Sequence, residues 1–239
     1  MRNILVTGGN QGIGFALCKQ LVIEHDCHVY LTARNTERGK SAVSKISSLI
    51  TPSCSGSIDF IPLDTSKESS IKQAAQETSS KLSNSKLYGI VNNAGIGLNT
   101  GSNGDIITTN LLGPKRVSEA FLDLLDPSIG RVVNLGSGSG PMYVGGCSVE
   151  DKKILCSPES DAVTFEYIEQ HARDNLSFSD VYGLSKALLA CYTGLFARQH
   201  PNIITSCVSP GFIDTQMTAG WGGQQISRSG NFGYQKMSL

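Results

Sequence analysis

A doubly wound, parallel α/β sheet is the fold class this sequence predicts, and three observations predict it. Short apolar runs rich in Val, Ile and Leu recur along the chain without clean polar alternation, as strands covered on both faces do. A longer amphipathic stretch separates each run from the next, and parallel neighbours need such crossovers. A glycine-rich turn joins the first run to the first amphipathic stretch. The length agrees: 239 residues suit one large domain with enough chain to bury a sizeable core.

In chain order, strands are expected at residues 3–7, 28–32, 58–63, 87–91, 131–135 and 203–208, and helices at 12–24, 35–50, 66–83, 106–125 and 179–199. Two regions break the rhythm. Residues 138–181 form a long insertion between the fifth strand and the next helix. Within it Thr164 can cap a short helix whose Phe165, Ile168 and Ala172 share a face. After Thr215 the chain is rich in Gly and Ser and shows no strand-like run, so residues 218–239 are expected to be a poorly ordered tail. No internal repeat is visible. The first core run begins at Asn3, no basic and apolar leader precedes it, and no run reaches the length of a membrane span; a cytoplasmic location is expected.

Composition excludes several classes. Apolar residues make up 39% and charged residues 17% of the chain, which argues against global disorder. Formal net charge is zero, so neither nucleic acid nor an anionic membrane is an expected partner. The seven cysteines are scattered and form no CxxC, and the four histidines form no HExxH; reduced thiols and no metal site are expected. The insertion carries eight Asp or Glu against Lys152, Lys153 and Arg173, a solvated face that disfavours a strongly anionic substrate.

The turn Thr7-Gly8-Gly9-Asn10-Gln11-Gly12-Ile13-Gly14 follows the first strand and opens the first helix. Glycines at 8, 12 and 14 allow a tight turn and close approach to a pyrophosphate, which the helix N-terminus then attracts with free N–H groups and its dipole. The spacing is GxxxGxG. A site for the dinucleotide lacking a 2′-phosphate usually ends its second strand with a carboxylate. Here that strand runs into Arg34, with Arg38 one helical turn on, and guanidinium groups pair with a 2′-phosphate. The expected cofactor is NADPH/NADP+. Further along, Tyr182-Gly183-Leu184-Ser185-Lys186 puts Tyr182 and Lys186 on one helical face. A free phenol has a pKa near ~10. A nearby cation is expected to lower it and let the pair trade a proton with a substrate oxygen.

Taken together, the chain resembles the short-chain dehydrogenase/reductases, a Rossmann-type family, over roughly residues 1–217. The resemblance rests on residues 7–14, Asn92-Asn93-Ala94-Gly95 after the fourth strand, Asn110, Gly136-Ser137 after the fifth strand, residues 182–186, and Ser209-Pro210-Gly211 with Thr215. It implies that Ser137 orients a substrate carbonyl, with Ser139 as the alternative serine, and that Tyr182 gives the carbonyl oxygen its proton. Lys186 would bind the nicotinamide ribose and tune Tyr182, and Asn110 would help hold a water that feeds protons to Lys186. Gly8, Asn10, Gln11, Gly12, Ile13, Gly14, Arg34, Arg38, Asn92, Ala94 and Gly95 would line the cofactor. Asp64 and Thr65 would sit near adenine, and Pro210, Gly211 and Thr215 would cover the nicotinamide. Within the family the chain is most like the carbonyl reductases, in residues 31–34, Arg38-Gly39, residues 131–134 and the long insertion. Several carbonyl reductases are monomers because that insertion covers the usual helix interface. A monomer acting on a small carbonyl is therefore implied.

Three departures from the family pattern stand out. Gln11 replaces a basic residue common in NADPH-preferring members. The segment between Gly95 and Asn110 is short. The family's last strand has no counterpart after Thr215, so an exposed sixth strand is expected, as in a truncated variant. The competing reading is a cofactor-binding sensor or an inactive paralogue. A sugar-nucleotide epimerase fits the glycine spacing less well.

Overall fold

The structure, a computed structural model, describes residues 1–97, 100–157, 160–177, 179–211 and 213. Thr215 and the expected tail lie outside the described residues.

In chain order the elements are β1 (Asn3–Val6), α1 (Gly12–Ile23), β2 (His28–Ala33), α2 (Thr36–Ser47), β3 (Ser57–Pro62), α3 (Glu68–Leu82), β4 (Leu87–Asn92), α4 (Asn103–Ile107), a π-helical turn (Thr108–Leu112), α5 (Gly113–Ala120), β5 (Arg131–Leu135), α6 (Ser139–Gly146), α7 (Val149–Leu155), α8 (Phe165–Asp174), α9 (Val181–Gln199) and β6 (Ile204–Val208). Among the described residues the strands form one sheet in the order β3-β2-β1-β4-β5-β6. Every pairing is parallel. The order reverses between β1 and β4, and in such sheets the crevice at the carboxyl ends beside that switch takes the ligand.

Strand alternation sends neighbours to opposite faces. Ile4, Val6, Val29 and Leu31 pack with Cys18 and Val22 of α1 and Ala42 and Ile46 of α2. Leu5, Tyr30, Ile90 and Val132 face the other way, into a larger cluster with α3, α5 and α9. Burying such a side chain fully contributes about 1.5–3 kcal/mol. The side chains of Leu5, Leu31 and Ile90 are wholly buried.

Two regions depart most from the sequence reading. The helix expected at 106–125 begins at Asn103, because Ser102 accepts from Asp105 N and the Asp105 carboxylate accepts from Ser102 N, a full capping box. It is broken by the π turn, and α5 ends at Ala120, followed by a short 3₁₀ turn at Leu122–Leu124. The insertion is three helices rather than one. Its last, α8, is the expected one: Thr164 Oγ1 accepts from Tyr167 N, while Ile168 and Ala172 are buried. Both α8 and α6 pack on α9. At the far edge β6 pairs with β5, and its Ile204 and Val208 are 58% and 41% exposed. No described helix is long and apolar enough to cross a membrane.

Candidate active site

The expected site residues that are described gather at the carboxyl ends of the strands. Gly8 and Gly12 hold φ of 64° and 55°, a region that favours glycine. A Cβ on Gly14 would stand 2.4 Å from Gly8 O and from the Asn93 amide nitrogen, so α1 starts directly beneath the turn. Gln11, at the N-cap, makes no capping bond through its side chain, and no acid stands in the first turn of α1. The N–H groups of that turn therefore keep their capacity for an anion. These features fit a dinucleotide pyrophosphate.

Asn93 fixes this cradle. Its amide donates to Thr7 O at 2.8 Å and Gly8 O at 3.1 Å, and Thr7 Oγ1 accepts from Asn93 N and Ala94 N, both at 3.0 Å. Asn93 was absent from the candidates, although its place in Asn92-Asn93-Ala94-Gly95 was the signal. Next to the turn, a cleft of about 470 Å³ is lined by Asn10, Gln11, Arg38 and Lys45 among others. Arg34 and Arg38 are exposed. Their position after β2 suits a 2′-phosphate. Asn35 accepts from Arg38 N at 2.9 Å and so caps α2.

The second half of the site is built on α9. Asp180 caps it by accepting from Gly183 N at 2.8 Å. Tyr182 and Lys186 follow on one face, with Lys186 Nζ 5.7 Å from the Tyr182 ring centre. Ser137, two residues beyond β5, lies near the Tyr182 phenol and favours its ionised form. Ser139 lies against Ser137, with hydroxyls 3.3 Å apart. Lys186 is 7% exposed and donates to Leu135 O at 2.7 Å. Burial, partly offset by the neighbouring Cys207 thiol, pulls its pKa down to about 8. Asn110 sits in the π turn, a feature frequent at functional sites. It accepts from Ile96 N at 2.9 Å and donates to Ile96 O at 3.0 Å and Ser185 Oγ at 3.2 Å. It thereby ties the loop after β4 to α9. A Cβ on Gly95 would stand 3.3 Å from Asn110 Oδ1 and 3.8 Å from Lys186 Nζ, so the glycine keeps that space clear.

A profile of the short chain dehydrogenase family matches residues 2–149. The (+)-neomenthol dehydrogenase of Arabidopsis thaliana is 32% identical over 254 aligned positions, which span 90% of this chain and 84% of that one. The chain belongs to the short-chain dehydrogenase/reductase family. A carbonyl reductase [NADPH] 3 of Rattus norvegicus is 29% identical, with 94% of this chain and 86% of that one covered. The solved structure of salutaridine reductase from Papaver somniferum superimposes with a TM-score of 0.79 at 27% identity, covering 94% of this chain and 90% of that one. The chain is thus a carbonyl reductase-like member of the family, with its Rossmann fold.

Against the family pattern, three expected residues are placed in ways the sequence did not suggest. Asn92 is 2% exposed, and its side chain turns into the core, donating to Asn134 Oδ1 at 2.8 Å and Ser118 Oγ at 3.1 Å. The Asp64 carboxylate accepts from Ser66 N and Oγ at the head of α3. Burial raises its pKa, but those bonds and the charges of Lys67 and Arg34 outweigh burial and leave it lowered. Tyr182 was expected to have a lowered pKa. Instead burial raises it, Asp180 adds to the rise, and the nearby Ser137 hydroxyl only partly compensates. Lys186 does not reverse this; its ammonium donates to the Leu135 carbonyl. Thr65 is buried against Gly113. Beyond β6, Pro210 is half-buried and Gly211 has a φ of 83°.

Proposed function

We propose that this short-chain dehydrogenase/reductase is an NADPH-dependent carbonyl reductase that converts an aldehyde, ketone or quinone to its alcohol or hydroquinone. The observation that carries the reading is the cluster of Ser137, Tyr182 and Lys186 at the carboxyl edge of the sheet, two strands over from the glycine cradle. When bound, the reduced nicotinamide supplies a hydride.

The residues have separable tasks. The turn from Gly8 to Gly14, with Asn10, Gln11 and Ile13, holds the pyrophosphate, while Arg34 and Arg38 select the 2′-phosphate. Ala94 and Gly95 flank the dinucleotide with the main chain of Asn92. Asp64 and Thr65 border the adenine end, and Pro210, Gly211 and Thr215 border the nicotinamide end. Ser137 Oγ donates to the substrate carbonyl oxygen and orients it. Tyr182, kept protonated by its raised pKa, delivers its proton to that oxygen as negative charge develops there. Lys186 would hold the ribose hydroxyls of a bound dinucleotide, and its charge would stabilise the phenolate left behind. Asn110 and the clear space beside Gly95 give protons a route back to Lys186.

Relatives carrying the words carbonyl reductase [NADPH] and salutaridine reductase support this choice. The domain is proposed to span residues 1–217, and the chain to act as a cytoplasmic monomer. A carbonyl panel tests the reading by loss of NADPH absorbance, with NADH run in parallel. Turnover of at least one carbonyl, faster with NADPH, is expected. Tight NADPH binding without turnover of any carbonyl would instead mark a cofactor sensor.

A further inference from the structure

The insertion contains a buried polar tie outside the catalytic group. On α6, Tyr143 is 7% exposed, and so is His171 on α8. The Tyr143 hydroxyl lies 3.1 Å from His171 Nε2. Burial holds the Tyr143 phenol well above its ordinary pKa, so its hydroxyl is neutral and able to donate to Nε2. His171 Nδ1 faces Asp151 Oδ1 of α7 across 3.5 Å. Tyr167 donates to the same oxygen at 3.3 Å. One imidazole therefore joins all three helices of the insertion. Buried polar groups satisfied in this way rigidify what they connect.

The other end of α6 meets the catalytic group. Ser139 N donates to Ser137 Oγ at 3.2 Å, and Gly140 N donates to Ser137 O at 3.1 Å. A Cβ on Gly140 would stand 3.0 Å from Ala187 N, and one on Gly183 would stand 2.9 Å from Ser139 O. The first turn of α6 is thus fitted against α9 at the catalytic residues, and Tyr143 is one turn further on. We infer that His171 is a positioning residue for Ser137: by anchoring α6 through Tyr143, it sets the hydroxyl that accepts from Ser139 N beside Tyr182. This rests on the reading of Ser137 and Tyr182 as reacting groups.

The full chain is compared with Tyr143→Phe, His171→Phe and His171→Gln. Amide hydrogen exchange is read at residues 139–143, and steady-state kinetics are run with NADPH. In Tyr143→Phe and His171→Phe, exchange at 139–143 is expected to rise about tenfold, and kcat to fall by about a decade, as misplaced reacting groups do. The NADPH dissociation constant stays within twofold. The double Phe variant loses no more than His171→Phe alone, because that substitution already removes the contact with Tyr143. His171→Gln, whose amide oxygen can accept from Tyr143, recovers most of kcat. Ile46→Val, in the opposite core and matched for loss in Tm, keeps kcat. Unchanged exchange at 139–143 in a folded Tyr143→Phe variant, or a kcat loss no greater than that of Ile46→Val, overturns the inference. If the wild-type chain turns over no carbonyl, the functional reading fails, and exchange at 139–143 alone decides the inference.

Discussion

Tyr182 and Lys186 are shifted in directions that suit reduction at neutral pH. The phenol is held above its ordinary value by burial, so it carries the proton a carbonyl oxygen must receive. The lysine, pulled down to about 8 from 10.5, is still mostly charged at pH 7. Between about pH 8 and 10.5 the unfolded chain holds a proton on Lys186 that the folded protein has released, so this group makes the fold more stable as pH rises through that window. The Tm of the wild type minus that of Lys186→Met should therefore increase from pH 8 to 10 in the absence of cofactor; a flat difference would show that the lysine is not desolvated. At the opposite end of the cofactor site, Arg34→Ala should weaken NADPH binding by one to two decades, since a charged hydrogen bond is worth roughly 1.5–3 kcal/mol. NADH binding should barely change, and an equal loss for both cofactors would remove Arg34 from 2′-phosphate selection. The types and order of these residues were legible in the sequence; their directions were not. That Asn92 turns inward to Asn134 and that Lys186 meets the Leu135 carbonyl depend on how β4, β5 and α9 pack.

Strands and crossover helices read well from periodicity, because parallel strands covered on both faces leave an apolar signature that local chemistry rarely disguises. The insertion read less well. Its α8 was visible through Thr164 and the spacing of Phe165, Ile168 and Ala172, whereas α6 contains Gly140, Pro141, Gly145 and Gly146, a composition that argues against a helix. Close contact between Gly140 and the α9 backbone overrides propensity there. A signal for α7 was available: Ser148 accepts from Asp151 N at 3.0 Å, the Ser-x-x-Asp spacing of a helix start. Two substitutions test this region. Thr164→Ala should cost about 1 kcal/mol of stability through the lost cap, measured by denaturant unfolding with kcat unchanged. Phe165 packs edge-on to Tyr192 with ring centres 6.2 Å apart, and Lys115 Nζ lies 4.4 Å from its ring centre. Phe165→Asp should loosen α8 and raise KM for bulky carbonyls more than the NADPH dissociation constant. An unchanged KM would separate α8 from the substrate mouth.

At the scale of the molecule, the insertion and the catalytic helix act together. Both α6 and α8 lie on α9, so that helix is covered within the chain. The chain is expected to be a monomer by light scattering, and a defined, concentration-independent tetramer would reject this. Among the described residues, Ile204 and Val208 on β6 are exposed, and Ile204→Lys should raise the concentration at which the protein stays clear. The whole arrangement, with the glycine turn after β1 and the proposed proton donor Tyr182 on α9, makes a single demand on chemistry. Single-turnover reduction of a carbonyl, with NADPH prebound to the wild type and to Tyr182→Phe, tests it most directly. The account predicts rapid NADPH oxidation by the wild type and at least a hundredfold slower oxidation by the variant (about two decades, the scale of general acid catalysis), with NADPH binding unchanged within a few-fold. A Tyr182→Phe variant that oxidises NADPH at a rate close to wild type would contradict it.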